Sequence, residues 1–264
     1  MRRLITFPCA GEMLTGTLDE APRTTGLLIV SGGNEIRIGA HRGMALLAAR
    51  VAVAGHPVLR YDRRGIGDST GANQGFEASA GDIAAAAAAF RDEAPHITRI
   101  VAFGNCDAAS ALALFHRNAG IDALVLTNPW TIEPTDDLPP AAAIRARYAE
   151  RLKDPATWLR LLRGGIDISK LFKGLSKIAG QPSQAPTALP ARIAGALEAS
   201  PAPLTILLAE RDNTAIAFRE SWETTPFTAV RPRAAFATCA TASHSFARDD
   251  DSDWLFARVV EALG

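Results

Sequence analysis

The chain alternates two hydrophobic patterns: short continuous apolar runs, and stretches whose apolar residues recur every three or four positions. These are the periods of buried strands and of helices with one buried face. Gly26-Leu27-Leu28-Ile29-Val30, Pro57-Val58-Leu59-Arg60-Tyr61, Ile100-Val101-Ala102-Phe103, Ala123-Leu124-Val125-Leu126-Thr127 and Leu204-Thr205-Ile206-Leu207-Leu208-Ala209 read as strands. Residues 13–18 can pair in an initial hairpin, and residues 233–239 read as a final strand. Helices are expected at about 41–54, stopped by Gly55, at 76–92 around an alanine run, from Cys106 to about Asn118, and at 252–263. Strand–helix alternation with short connections predicts an α/β architecture, a mostly parallel central sheet with helices on both faces. Ligands of such sheets sit beyond the carboxyl ends of the strands, where Gly33, Asp62, Cys106 and Asn128 all fall.

From Pro129 to Pro203 the alternation breaks down. This proline-rich stretch holds short helical patterns at 141–152 and 155–163 and a loop-like run at 179–191. It reads as a helical lid inserted over the site, since a long connection inside a compact domain usually has a role. The expected division is a core of residues 1–128 and 204–264 with a cap of 129–203.

Composition narrows the function classes. A chain of 264 residues with 48% hydrophobic content can bury a sizeable core. Its zero net charge, with no basic cluster interleaved with aromatics, argues against nucleic acid as a partner. The basic start Met1-Arg2-Arg3 lacks the apolar region of a signal peptide, and no run approaches the roughly 18 apolar residues of a membrane span. Cys9, Cys106 and Cys239 are too few and too scattered for a disulfide framework, and none has metal-like spacing. The expectation is a cytoplasmic protein without metal or other cofactor.

The candidate chemistry centres on Gly104-Asn105-Cys106-Asp107-Ala108, where an apolar strand turns sharply into a helix. Such a turn strains its central residue and needs small neighbours two positions away, here Gly104 and Ala108. It also leaves the N–H of Asp107 at a helix N-terminus, aimed where an oxyanion would form. A buried packing cysteine is the plain alternative. Asp212, just after the 204–209 strand, is placed to orient a histidine, with Glu210 as its local competitor. Of five histidines, His41, His56, His96, His116 and His244, only the last lies in a loop between the final strand and the C-terminal helix. The order Cys106, Asp212, His244 is that of one hydrolase fold and differs from the orders used on others.

Val30-Ser31-Gly32-Gly33-Asn34, Tyr61-Asp62-Arg63-Arg64-Gly65-Ile66-Gly67-Asp68-Ser69, Gly104-Asn105-Cys106-Asp107-Ala108 and Ser243-His244-Ser245-Phe246 together resemble the α/β-hydrolase superfamily. More narrowly they resemble the hydrolase 1 family associated with exosortase A protein-sorting and exopolysaccharide systems of Gram-negative bacteria. The resemblance implies the α/β-hydrolase fold and a Cys-His-Asp triad similar to that of dienelactone hydrolases. It names no substrate. Ser31-Gly32 stands where the superfamily often has His-Gly, which bears on the role of Gly33.

The expected chemistry is acyl transfer to Cys106, with His244 as base and acid and Asp212 as its orienting carboxylate. The N–H groups of Asp107 and Gly33 would hold the oxyanion, with Asn34 as a side-chain donor. Esters, thioesters or activated lactones fit as small-molecule substrates, because a thiolate leaves a tetrahedral intermediate more readily than an amine does. Two other readings remain open at this point: an acyltransferase that passes the acyl group to a sugar or other alcohol, and a non-catalytic module that binds an acyl or glycan ligand. The Asp107 carboxylate either repels a thiolate, so that Cys106 rests as a neutral thiol, or points to solvent as an ordinary helix-start acid.

Overall fold

The computed structural model describes residues 1–132 and 188–264. Eight strands form one sheet: β1 (Arg2–Cys9), β2 (Glu12–Asp19), β3 (Thr25–Val30), β4 (Val58–Tyr61), β5 (Arg99–Asn105), β6 (Ala123–Thr127), β7 (Leu204–Ala209) and β8 (Ala234–Cys239). Their spatial order is β1-β2-β4-β3-β5-β6-β7-β8. The β1–β2 and β2–β4 pairs are antiparallel and all others parallel. Among the described residues six α-helices accompany them: α1 (Gly43–Val53), α2 (Ala80–Glu93), α3 (Asp107–Phe115), α4 (Ala188–Glu198), α5 (Asn213–Trp222) and α6 (Asp249–Leu263).

Period-two alternation along the parallel strands explains why both faces are covered. Leu27, Ile29, Val101, Phe103, Val125 and Leu207 project to one face and pack with Met44, Leu47 and Val51 of α1 and with Leu255 and Val259 of α6. Leu28, Val30, Ala102, Leu124, Leu126, Ile206 and Leu208 project to the other, against Ile83, Ala86 and Phe90 of α2, Leu112 of α3 and Ile193 of α4. The alanine run in α2 supplies the low side chains that let this helix lie close to the sheet: Ala86 and Ala87 are fully buried.

The helix starting at Ala188 lies within the stretch expected as cap, and its beginning falls in the run 179–191 expected as a loop. Leu189, Ile193, Ala194 and Leu197 are buried in the same core as α3. The helices expected at 141–152 and 155–163 lie outside the described residues. The helix expected from residue 41 begins regular winding only at Gly43, because His41 and Arg42 have left-handed backbones, at φ 52 and 62.

The topology builds the site. After β4 the chain crosses back over β3 to lay down β5, so β3 and β5 are neighbours with connections leaving in opposite directions. That reversal opens a crevice at their carboxyl ends. Val30 pairs with Gly104, which sets the Ser31–Asn34 loop directly beside the turn at Cys106. At Gly104 a Cβ atom would stand 2.8 Å from the Ala108 carbonyl carbon and 2.9 Å from the Ala109 nitrogen. Gly104→Ala is therefore expected to cost about 1–3 kcal/mol of stability through overpacking. Urea unfolding checks this: a lower midpoint at unchanged slope is the expected outcome.

Candidate active site

Cys106 joins β5 to α3 at φ 61 and ψ −127, a backbone that L-residues rarely adopt. The surrounding backbone holds it there. Its N–H donates to the Thr127 carbonyl at 3.0 Å, and its own carbonyl accepts from Ala109 at 3.1 Å and Trp130 at 3.2 Å. The helix opens at Asp107, so the Asp107 N–H has no acceptor within α3. Cys106 is half-buried, whereas Cys9 and Cys239 are buried beside Asp82 and Asp251, and both thiols are pushed up first of all by burial. All three thiols lie at or just past strand ends, and of the three only Cys106 is not buried.

The predicted histidine and acid meet. His244 Nδ1 lies 3.0 Å from Asp212 Oδ2, with the imidazole side chain 36% exposed and the carboxylate 10% exposed. The same oxygen caps α5, accepting from the N–H groups of Thr214 and Ala215 at 3.1 Å each. This helix was not expected from the sequence, and it gives the carboxylate a positive helix end to rest against. Glu210, the competitor, is exposed. Burial disfavours a charged His244, but hydrogen bonds to Asp212 and to the Cys106 sulfur outweigh it and push the imidazolium up to about 10.

The other histidines have different occupations. His56 is buried with Nδ1 on the Thr25 carbonyl, His96 bonds the Ala21 carbonyl, and His116 is buried between α3 carbonyls and Ser200. Burial pushes His116 down. His41 is exposed on its left-handed backbone.

The glycine loop is arranged differently from the expectation. Gly33 N–H donates to Asp107 Oδ1 at 2.6 Å, so the N–H expected to meet an oxyanion is held by a carboxylate. Gly32 makes the approach feasible, since a Cβ there would come within 2.8 Å of that oxygen. Arg63, 4% exposed, donates from Nη2 to the Gly33 carbonyl and stands 3.8 Å from Asp107 Oδ2. Asp107 thus neither points to solvent nor stands as an uncompensated charge beside Cys106. Asn34 is exposed, with Oδ1 accepting from Asn73 Nδ2 at 2.9 Å.

Two residues to which the sequence gave no role, Asn105 and Asn128, reach the His244 backbone, each donating to its carbonyl. The one signal was the polar residue ending an apolar strand in each case. Among the described residues, no group of three or more His, Cys, Asp or Glu side chains could hold a metal ion, and no helix is long and apolar enough to cross a membrane.

The profile of the alpha/beta hydrolase family matches residues 27–258. The chain belongs to that family. Solved structures share this hydrolase's fold at low identity. An esterase from Pyrococcus furiosus aligns with 100% of this chain and 90% of its own, at 17% identity and a TM-score of 0.65. A dienelactone hydrolase from Anabaena variabilis aligns over 99% and 96% respectively, at 14% identity and a TM-score of 0.63. A thioesterase domain from the curacin biosynthetic pathway aligns over 99% of both chains, at 14% identity and a TM-score of 0.58. A comparison with curated protein sequences finds no significant match.

The raised His244 has a consequence for stability. A histidine whose folded value, about 10, exceeds its ordinary 6.5 stabilises the fold fully below 6.5 and loses that contribution as pH climbs to 10. The urea midpoint of this hydrolase relative to its His244→Gln variant is expected to be most favourable at pH 6 and to shrink steadily toward pH 10. A difference that grows with pH would contradict the assignment.

Proposed function

We propose that this hydrolase cleaves a carboxylic ester or thioester through an acyl-enzyme on Cys106. The observation that carries the reading is the strained strand-to-helix turn at Cys106 opposite an imidazole whose other nitrogen is 3.0 Å from Asp212. Kinship of fold with an esterase, a thioesterase domain and a dienelactone hydrolase supports carbonyl chemistry of this class. The resemblance to hydrolases associated with exosortase A supports a cytoplasmic role beside exopolysaccharide or protein-sorting pathways.

The Cys106 proton moves to His244 Nε2 as the sulfur attacks, and the raised value of the imidazole favours that transfer. The Cys106 sulfur attacks the carbonyl carbon, and the carbonyl π electrons move onto oxygen. On collapse the carbon–oxygen or carbon–sulfur bond to the leaving group breaks, and His244 Nε2 passes its proton to the departing atom. Water then gives a proton to His244 and attacks the thioester, and the sulfur leaves as the acid is released. Asp212 holds the imidazole in the tautomer that keeps Nε2 toward the sulfur.

The oxyanion would rest on the N–H groups of Asp107 and Gly33, with Asn34 at the rim of the same loop. For Gly33 to serve, the Asp107 side chain must leave it and close the 3.8 Å gap to Arg63. A carboxylate about 4 Å from a developing oxyanion costs up to about 4 kcal/mol at an effective dielectric constant near 20. Its removal is therefore expected to speed acylation.

Two measurements test the proposal. Incubation with p-nitrophenyl esters of graded acyl length is expected to give a burst of nitrophenol and an intact-mass increase equal to one acyl group, both abolished in Cys106→Ala. Absence of burst and adduct at every length would favour a ligand-binding module instead. Asp107→Ala, which keeps the backbone N–H, is expected to raise the burst rate at least threefold; a fall would mean that the carboxylate serves to hold the Gly33 loop in place.

A further inference from the structure

Three strand ends converge on one buried amide. Asn128 follows β6, is 0% exposed, and holds a left-handed backbone at φ 43. Its Oδ1 accepts the Ala209 N–H at 2.8 Å. Its Nδ2 donates to Asn105 Oδ1 at 3.1 Å and to the His244 carbonyl at 3.1 Å. Chemistry fixes which way the amide faces, because the Ala209 N–H can only donate and the His244 carbonyl can only accept. Asn105 adds a second donor to that carbonyl, from Nδ2 at 3.2 Å, while its own Oδ1 accepts from Thr127 Oγ1 at 3.0 Å.

This side chain therefore touches the residue before Cys106, the strand end that leads into Asp212, and His244 itself. The Asp212 N–H in turn donates to the Ala209 carbonyl at 3.0 Å, and the Asn128 N–H to Leu207 at 3.1 Å. A fully buried amide needs every partner in place, since a donor or acceptor left unpaired there keeps its full desolvation penalty. An apolar residue of similar size would fill the position without that requirement. What the amide adds is direction. The His244 ring is tethered at Nδ1 by Asp212, and its backbone carbonyl is tethered by two amides. Two fixed points set where Nε2 looks.

Resting on the Cys106–His244–Asp212 reading, we propose that Asn128 is the positioning residue of the triad. Together with Asn105 it fixes His244 so that Nε2 faces the Cys106 sulfur, and it acts through the histidine without touching substrate. The rest of the histidine loop has its own anchor. Thr241 Oγ1 accepts from Ser243 N–H at 3.0 Å and donates to Asp251 Oδ2 at 2.6 Å. Loss of Asn128 should accordingly shift His244 locally and leave the loop attached.

The test compares the full-length wild type with Asn128→Ala and Asn128→Asp. It uses p-nitrophenyl acetate acylation and iodoacetamide alkylation of Cys106 from pH 5 to 10, with circular dichroism to establish folding. Asn128→Ala is expected to acylate at least tenfold more slowly with KM within about twofold. Its alkylation profile should move toward that of an ordinary thiol, with a midpoint about 8.5. Asn128→Asp keeps the shape and can donate to the His244 carbonyl only while protonated, so its acylation relative to wild type should fall as pH rises. A folded Asn128→Ala with wild-type acylation and alkylation profiles overturns the proposal. If Asn128→Ala does not fold, a wild-type pH dependence in Asn128→Asp overturns it. If the wild type forms no acyl-enzyme, ester cleavage fails, and the alkylation profiles alone still decide the role of Asn128.

Discussion

The backbone at Cys106 is the constraint on which the rest of the site depends. Holding a non-glycine residue at φ 61 and ψ −127 costs about 1–3 kcal/mol, so the surroundings must impose it. They do so through the Cys106 N–H, which donates to the Thr127 carbonyl at the end of β6, through the carbonyl of Cys106 shared among the N–H groups of α3 and Trp130, and through a glycine two residues before it. The strain lifts one side chain out of the strand's alternation and places it at the mouth of the crevice between β3 and β5. The same turn aims the first N–H of α3 at the space above the sulfur. A relaxed connection would bury the sulfur as in Cys9 and Cys239.

Charge is then distributed around that sulfur by opposing pairs. Asp212 draws on the N-terminus of α5 and the imidazole at once, and the imidazolium is held well above its ordinary value despite burial. On the other side Asp107 is compensated by Arg63 and by the Gly33 N–H. Arg63 also grips the Gly33 carbonyl, so one guanidinium fixes the loop and faces the carboxylate that occupies it. Around Cys106, His244 and the Gly33 loop the charges each have an opposite within reach, which lets them coexist in a partly buried site.

Much of the fold was legible along the chain. The continuous apolar runs marked β3 to β7 closely because strands buried on both faces leave few polar positions to blur the pattern. Helix limits were less exact where local backbone decides them: α3 stops at Phe115, short of Asn118, and α1 waits for Gly43. Helix α5 went unread because its buried face is made mostly of small or polar residues, among them Thr214, Ala215 and Ala217. The positions of Cys106, Asp212 and His244 were readable because each follows a recognisable strand. The partners of Gly33 and Asp107 were not, since a glycine-rich loop carries no periodicity that says where its N–H groups point.

By itself the sequence determined the alternation of elements, the small residues that permit the sharp turn at Cys106, and the chain order of Cys106, Asp212 and His244. These are local properties, set by side-chain size, backbone preference and hydrophobic period over a few residues. Tertiary structure alone decided which polar atoms meet. Asn105 and Asn128 reach His244 across 139 and 116 residues of chain, and Gly33 meets Asp107 across 74. A hydrogen bond demands placement within a few tenths of an ångström. Only the packed sheet, with its strand order and register fixed, brings residues so distant in sequence to that precision.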